Sequence, residues 1–141
     1  MKHNTIEVEF DICNNEVFDP NEITQRLKLE PKNMCVMGDP VPGTTPYGIL
    51  KYKDTSWTLS SGLKESDSLS EELLIIENSL QDKTETIKSI LTELRCESHF
   101  MIVIYNYDRE YFPDMRIPKE FLKLAAEIDA YIDYDIYFST R

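Results

Sequence analysis

The chain has 141 residues, 41% of them hydrophobic and 11% aromatic, enough to bury roughly 68% of its unfolded surface as one domain over residues 1–141 without metal or disulfide staples. Acidic residues outnumber basic ones 26 to 15, a net charge of -11. That field repels nucleic acid and anionic membrane and draws in basic partners, although the same excess also serves plain solubility.

Taken in chain order, Ile6, Val8, Phe10 and Ile12 alternate with Glu7, Glu9, Asp11 and Cys13. Successive strand side chains flip faces, so this segment is a strand with one apolar row and one row of carboxylates. Asp19-Pro20-Asn21-Glu22 opens a short helix, with Ile23 and Leu27 on one face and Pro31 as its limit near Leu29. Met34 to Met37 reads as a short strand, and Gly38 to Lys53 as an irregular loop whose glycines and prolines break any period. Thr55 to Ser61 is the next strand, with Thr58 and Ser60 facing opposite to Trp57 and Leu59.

Ser66-Asp67-Ser68 offers caps for a helical stripe of Leu69, Leu73, Ile76 and Leu80, continued by Ile87, Leu91 and Leu94. Polar Gln81-Asp82-Lys83-Thr84 interrupts it, so one kinked helix or two helices are expected. Phe100 to Tyr105 is apolar on both parities, the pattern of a central strand. Pro118 opens a last helix with Phe121, Leu122, Ala125 and Ile128 inward. A closing strand follows, in which Ile132, Tyr134, Ile136 and Phe138 alternate with Tyr131, Asp133, Asp135 and Tyr137. The order predicts an α+β fold: a mixed or antiparallel sheet of about five strands with helices mainly on one face, a ferredoxin-like core being one arrangement of it.

Cys13, Cys35 and Cys96 form no CxxC pair and read as reduced, packed thiols of a cytoplasmic protein. No segment has the length of a bilayer span or the pattern of a signal peptide. Glycine-rich phosphate loops, a Ser/His/Asp order and zinc spacings are absent from the sequence, so neither a metal nor another cofactor is expected.

The succession Asp19-Pro20-Asn21-Glu22-Ile23-Thr24, Leu27-Lys28-Leu29-Glu30-Pro31, Gly38, Trp57-Thr58-Leu59-Ser60, a leucine-rich helix, a Pro-initiated helix and Asp133-Tyr134-Asp135-Ile136-Tyr137 resembles the bacterial family called domain of unknown function 4279 over nearly the whole chain. The family commonly places Gly where this chain has Lys28; Gly there eases a left-handed helix end, and Lys28 leaves room for a longer helix. The resemblance implies a bacterial cytosolic α+β protein and brings no catalytic residues. Small acidic families of this kind are associated with immunity proteins that sit beside secreted toxins.

Two groups of residues are candidate binding positions. Glu7, Glu9 and Asp11 on the first strand, with Asp133 and Asp135 on the last, form an acidic sheet face; if the two strands were neighbours, the carboxylates would lie about 5 Å apart. Like charges so placed need a cation or a basic partner; otherwise the face is merely solvated. Trp57 is either a core aromatic or an anchor exposed beside Tyr47 and Tyr52 of the long loop, while Tyr107 and Tyr111 belong to a second aromatic segment. The expectation is a non-enzymatic, immunity-type module that occludes a basic protein partner such as a toxin. The alternative is a small-molecule-binding protein or a hydrolytic enzyme using the sheet-face carboxylates as acid and base.

Overall fold

The computed structural model describes residues 3–43 and 49–139. Ten elements follow in order: β1 (Asn4–Asn14), α1 (Asn21–Leu27), β2 (Asn33–Cys35), β3 (Thr55–Ser60), β4 (Lys64–Glu65), α2 (Leu69–Leu80), α3 (Thr84–Glu93), β5 (Glu97–Asn106), α4 (Lys119–Glu127) and β6 (Tyr131–Phe138). The strands form one mixed sheet in the order β2-β3-β1-β5-β6, with β4 pairing the start of β1. The α+β fold is as the pattern predicts, with short β4 as an addition. It is not a ferredoxin-like core. β1 pairs antiparallel with both β3 and β5, and the parallel pair β5–β6 is adjacent instead of split by an intervening strand.

β1 lies in the middle because both of its edges are used. Ile6, Val8, Phe10 and Ile12 are fully buried, in register with Ile104, Ile102, Phe100 and Ser98 of β5. The same core takes Ile23 and Leu27 from α1, Leu69 to Leu80 of α2 at helical spacing, Ile87 and Ile90 from α3, and Phe121 and Leu124 from α4. All four helices thus lie against one face of the sheet. Phe10 and Phe100 meet side by side in the sheet with centroids 5.0 Å apart, and Phe121 of α4 packs tilted on Phe100 at 4.7 Å. Polar Gln81 and Asp82 separate α2 from α3, so the long stripe is two helices. Ser68 caps α2, its hydroxyl accepting from the Glu71 N–H.

Three expectations are corrected. Lys28 does not lengthen α1: it takes the left-handed conformation (φ 56°) and donates its N–H to the Thr24 carbonyl at 2.8 Å, so it ends the helix as a glycine would. Leu122 points outward and Leu124 takes its place in the core. The inner row of β6 is not buried: Tyr134, Ile136 and Phe138 are 43%, 38% and 52% exposed, and Ile132 alone packs partly against the core. β6 is an edge strand, and the helix layer covers the inner strands instead.

Lys28→Gly is expected to stabilise the protein by about 0.5–1 kcal/mol, the relief of left-handed strain outweighing glycine's extra unfolded-state entropy. The denaturant midpoint, at unchanged slope, measures it.

Candidate functional site

The sheet face opposite the helices carries the sequence-predicted carboxylates. Alternation within β1 puts Glu7, Glu9 and Asp11 there, and the register sets Ser60 beside Glu9 and Thr58 beside Asp11 on one side, with Met101 and His99 on the other. Each carboxylate is answered from within the chain. Lys32, just before β2, donates its ammonium to Glu7 Oε2 at 2.9 Å and Glu9 Oε2 at 3.1 Å. The Ser60 hydroxyl also donates to Glu7, and the Thr58 hydroxyl to Asp11. His99 Nε2 lies 2.9 Å from Asp11 Oδ2.

These contacts decide the charge of the face. The Asp11 carboxylate, and after it the Cys13 sulfur, hold the His99 proton and push the imidazole up to about 10. His99 is therefore an imidazolium at neutral pH, a counter-ion and not a base. The hydrogen bond to Glu7, reinforced by Glu9, holds the Lys32 ammonium above its ordinary range against the cost of burial. Burial raises the Glu9 carboxyl, with Lys32 only partly offsetting it. Two cations thus face three carboxylates within a polar lattice. Burial also pushes the Cys96 thiol up to about 12, which leaves it unreactive.

Asp133 and Asp135 share this face but not this network. They pair with Met101 and Val103 of β5, which separates them from β1 by a whole strand, about 10 Å. The condition for a tight five-carboxylate cluster is not met. Both are exposed, and among the described residues neither makes an ion pair. Exposed Tyr131 and Tyr137 flank them on the same side of β6, and Tyr137 stacks on Tyr105 at 5.0 Å.

The aromatic candidates separate. Trp57 is fully buried, its indole N–H donating to Thr24 Oγ1 at 2.9 Å, so it belongs to the core and is no surface anchor. Tyr47 lies outside the described residues. Tyr52 is half-buried, its backbone paired with Gly38 and Asp39 across the loop. Tyr111 is exposed but stacked on His3 at 4.1 Å, and its carbonyl accepts from buried Asn4. Half-buried Tyr107 donates its N–H to the His3 carbonyl. This last segment holds His3 and Asn4 at the start of β1. Residues that sequence reasoning missed are Lys32, Thr58, Ser60 and His99; the only available signal was that a carboxylate row on a central strand requires partners from its neighbours.

A cleft of about 430 Å³ opens at one end of the sheet, between Lys88, Cys96, Glu127 and Tyr131. Among the described residues no group of three or more His, Cys, Asp or Glu side chains is placed to hold a metal ion, and no helix is long and apolar enough to cross a membrane.

Fold and face together define an α+β protein with one helix-covered sheet face and one open polar face. A family model, domain of unknown function (DUF4279), matches residues 3–139, and the chain belongs to that family. No curated protein and no solved structure matches it.

Two outcomes test the polar lattice. Lys32→Ala leaves buried Glu7 and half-buried Glu9 without their cation and is expected to cost about 2 kcal/mol at neutral pH, less in mild acid where Glu9, its carboxyl raised by burial, takes up a proton. The His99–Asp11 pair follows the raised histidine: its contribution is complete below the unfolded-state value near 6.5 and is lost as pH rises towards 10. Stability from urea melts should therefore decline over that window, by about 1–2 kcal/mol given the pair's partial exposure, and His99→Gln should flatten the decline.

Proposed function

We propose that this is a non-enzymatic protein-binding module of the immunity type, acting in the bacterial cytoplasm by occluding a basic partner such as a toxin. The observation that carries the reading is β6: on one face exposed Tyr131 and Tyr137 flank Asp133 and Asp135, which make no ion pair among the described residues, on a chain of net charge -11. Tyrosines supply contact area at low entropic cost, and unneutralised rim carboxylates accelerate encounter with a basic surface. The β1 carboxylates support the reading less, because Lys32 and His99 already answer them. For the same reason they are poor candidates for a hydrolytic acid–base pair, which needs one carboxyl free to give up its proton and one free to take it.

Co-expression with a secreted toxin encoded beside the gene is the test. The chain should protect the cell, and Asp133→Lys with Asp135→Lys should abolish protection without lowering the melting temperature. In binding kinetics, salt should slow association steeply and change dissociation little. Salt-independent association, or a co-purified small molecule in place of a protein, would overturn the reading.

A further inference from the structure

The two edges of the sheet differ. β2 is three residues long and follows Pro31 and Lys32, so it offers an incoming strand little to pair with. β6 has eight residues, Tyr131–Phe138, and contains neither Pro nor Lys. Its polarity is fixed by the Ser139 N–H, which donates to the Asn106 carbonyl at 2.9 Å. By the alternation of a parallel ladder, the odd-numbered residues of β6 direct their backbone groups at β5, and Ile132, Tyr134, Ile136 and Phe138 direct theirs outward. Of those residues, Tyr134, Ile136 and Phe138 have side chains that the helices leave exposed, with Leu122 and Phe112 also exposed on the surface. Phe112 meets Phe138 at 6.0 Å, and the Arg109 guanidinium lies over the Phe138 ring.

Charge decides what can occupy this edge. An antiparallel strand would form hydrogen-bonded pairs at Tyr134 and Ile136, leaving Asp133 and Asp135 in the intervening pairs, where side chains come closest. A second copy of the chain fits badly. The two symmetric registers with greatest overlap, centred on Tyr134 or on Asp135, set Asp133 against Asp135 or Asp135 against itself. Like charges directly opposite destabilise a sheet, and each copy brings a net charge of -11.

Resting on the binding reading above, we infer that β6 is a strand-addition site for an extended segment of the partner protein, with Lys or Arg opposite Asp133 and Asp135 and apolar residues opposite Tyr134 and Ile136. Backbone hydrogen bonds supply the pairing, the two carboxylates select the register, and the apolar residues cover the exposed row on the helix side.

The probe is a peptide of about nine residues alternating valine and lysine, titrated against the full chain by calorimetry. In the inferred register the valine N–H groups face β6 and the lysine N–H groups face away. N-methylation at the valines should therefore abolish binding, and N-methylation at the lysines should spare it, at identical charge. Asp133→Lys with Asp135→Lys should weaken the parent peptide about tenfold or more. Tyr134→Pro, which removes an outward donor without touching the β5 ladder, should do the same relative to Tyr134→Ala. Equal binding of the two methylated peptides would overturn strand addition and leave the acidic binding surface standing. Indifference of the parent peptide to the Asp133 and Asp135 substitutions would overturn that surface as well. A concentration-dependent dimer of the chain broken by Tyr134→Pro would overturn the choice of a basic partner strand.

Discussion

The antiparallel pairing of β1 with β5, from Asn4 opposite Asn106 to Cys13 opposite Glu97, is the constraint on which the rest depends. It places the first strand in the middle of the sheet, so both of its rows must be satisfied by other parts of the chain. The apolar row meets Ile104, Ile102 and Phe100 and becomes the floor on which all four helices pack. The carboxylate row receives His99 from the same pairing, because His99 stands opposite Asp11. One register thus sets both the core and the electrostatics of the open face.

The polar row then has to be neutralised locally. A carboxylate on a central strand is shielded by its neighbours, and a shielded charge is stable only with a partner. Ser60 and Thr58 of β3, His99 of β5 and Lys32 from the segment before β2 converge to meet that requirement. The β1 carboxylates that stood out in the sequence are for this reason engaged by other parts of the chain. They are committed to holding Lys32 near β2 and His99 near the start of β5.

What stays open is the edge. The helix layer covers β3, β1 and β5, and β6 lies beyond it, so an apolar row that would be core on any inner strand is left facing solvent. Exposed edge strands are normally blunted by Lys, Pro or shortness, and β2 shows that device at the other end of this sheet. β6 has only Asp133 and Asp135 to deter pairing with a copy of itself, and the same two charges favour a basic strand. In the proposed binding mode, protection against self-association and selection of a partner are one feature.

Strand parity, the serine cap of α2 and the α+β class were legible because they are local: side-chain alternation, a proline at a helix start or a serine cap depends on residues a few positions apart. The acidic face was legible in the same way, since Glu7, Glu9 and Asp11 must share a side whatever lies beside them. Neighbourhood was not. That β5 separates β1 from β6, that Lys32 and His99 answer the β1 carboxylates, and that Trp57 is roofed by α1 with Thr24 as its acceptor are all consequences of pairing between distant segments. Ile136 and Ile12 carry the same alternation in sequence, yet one is exposed and the other buried. Alternation determines which side of a strand is apolar; only the tertiary structure decides whether anything lies on top of it.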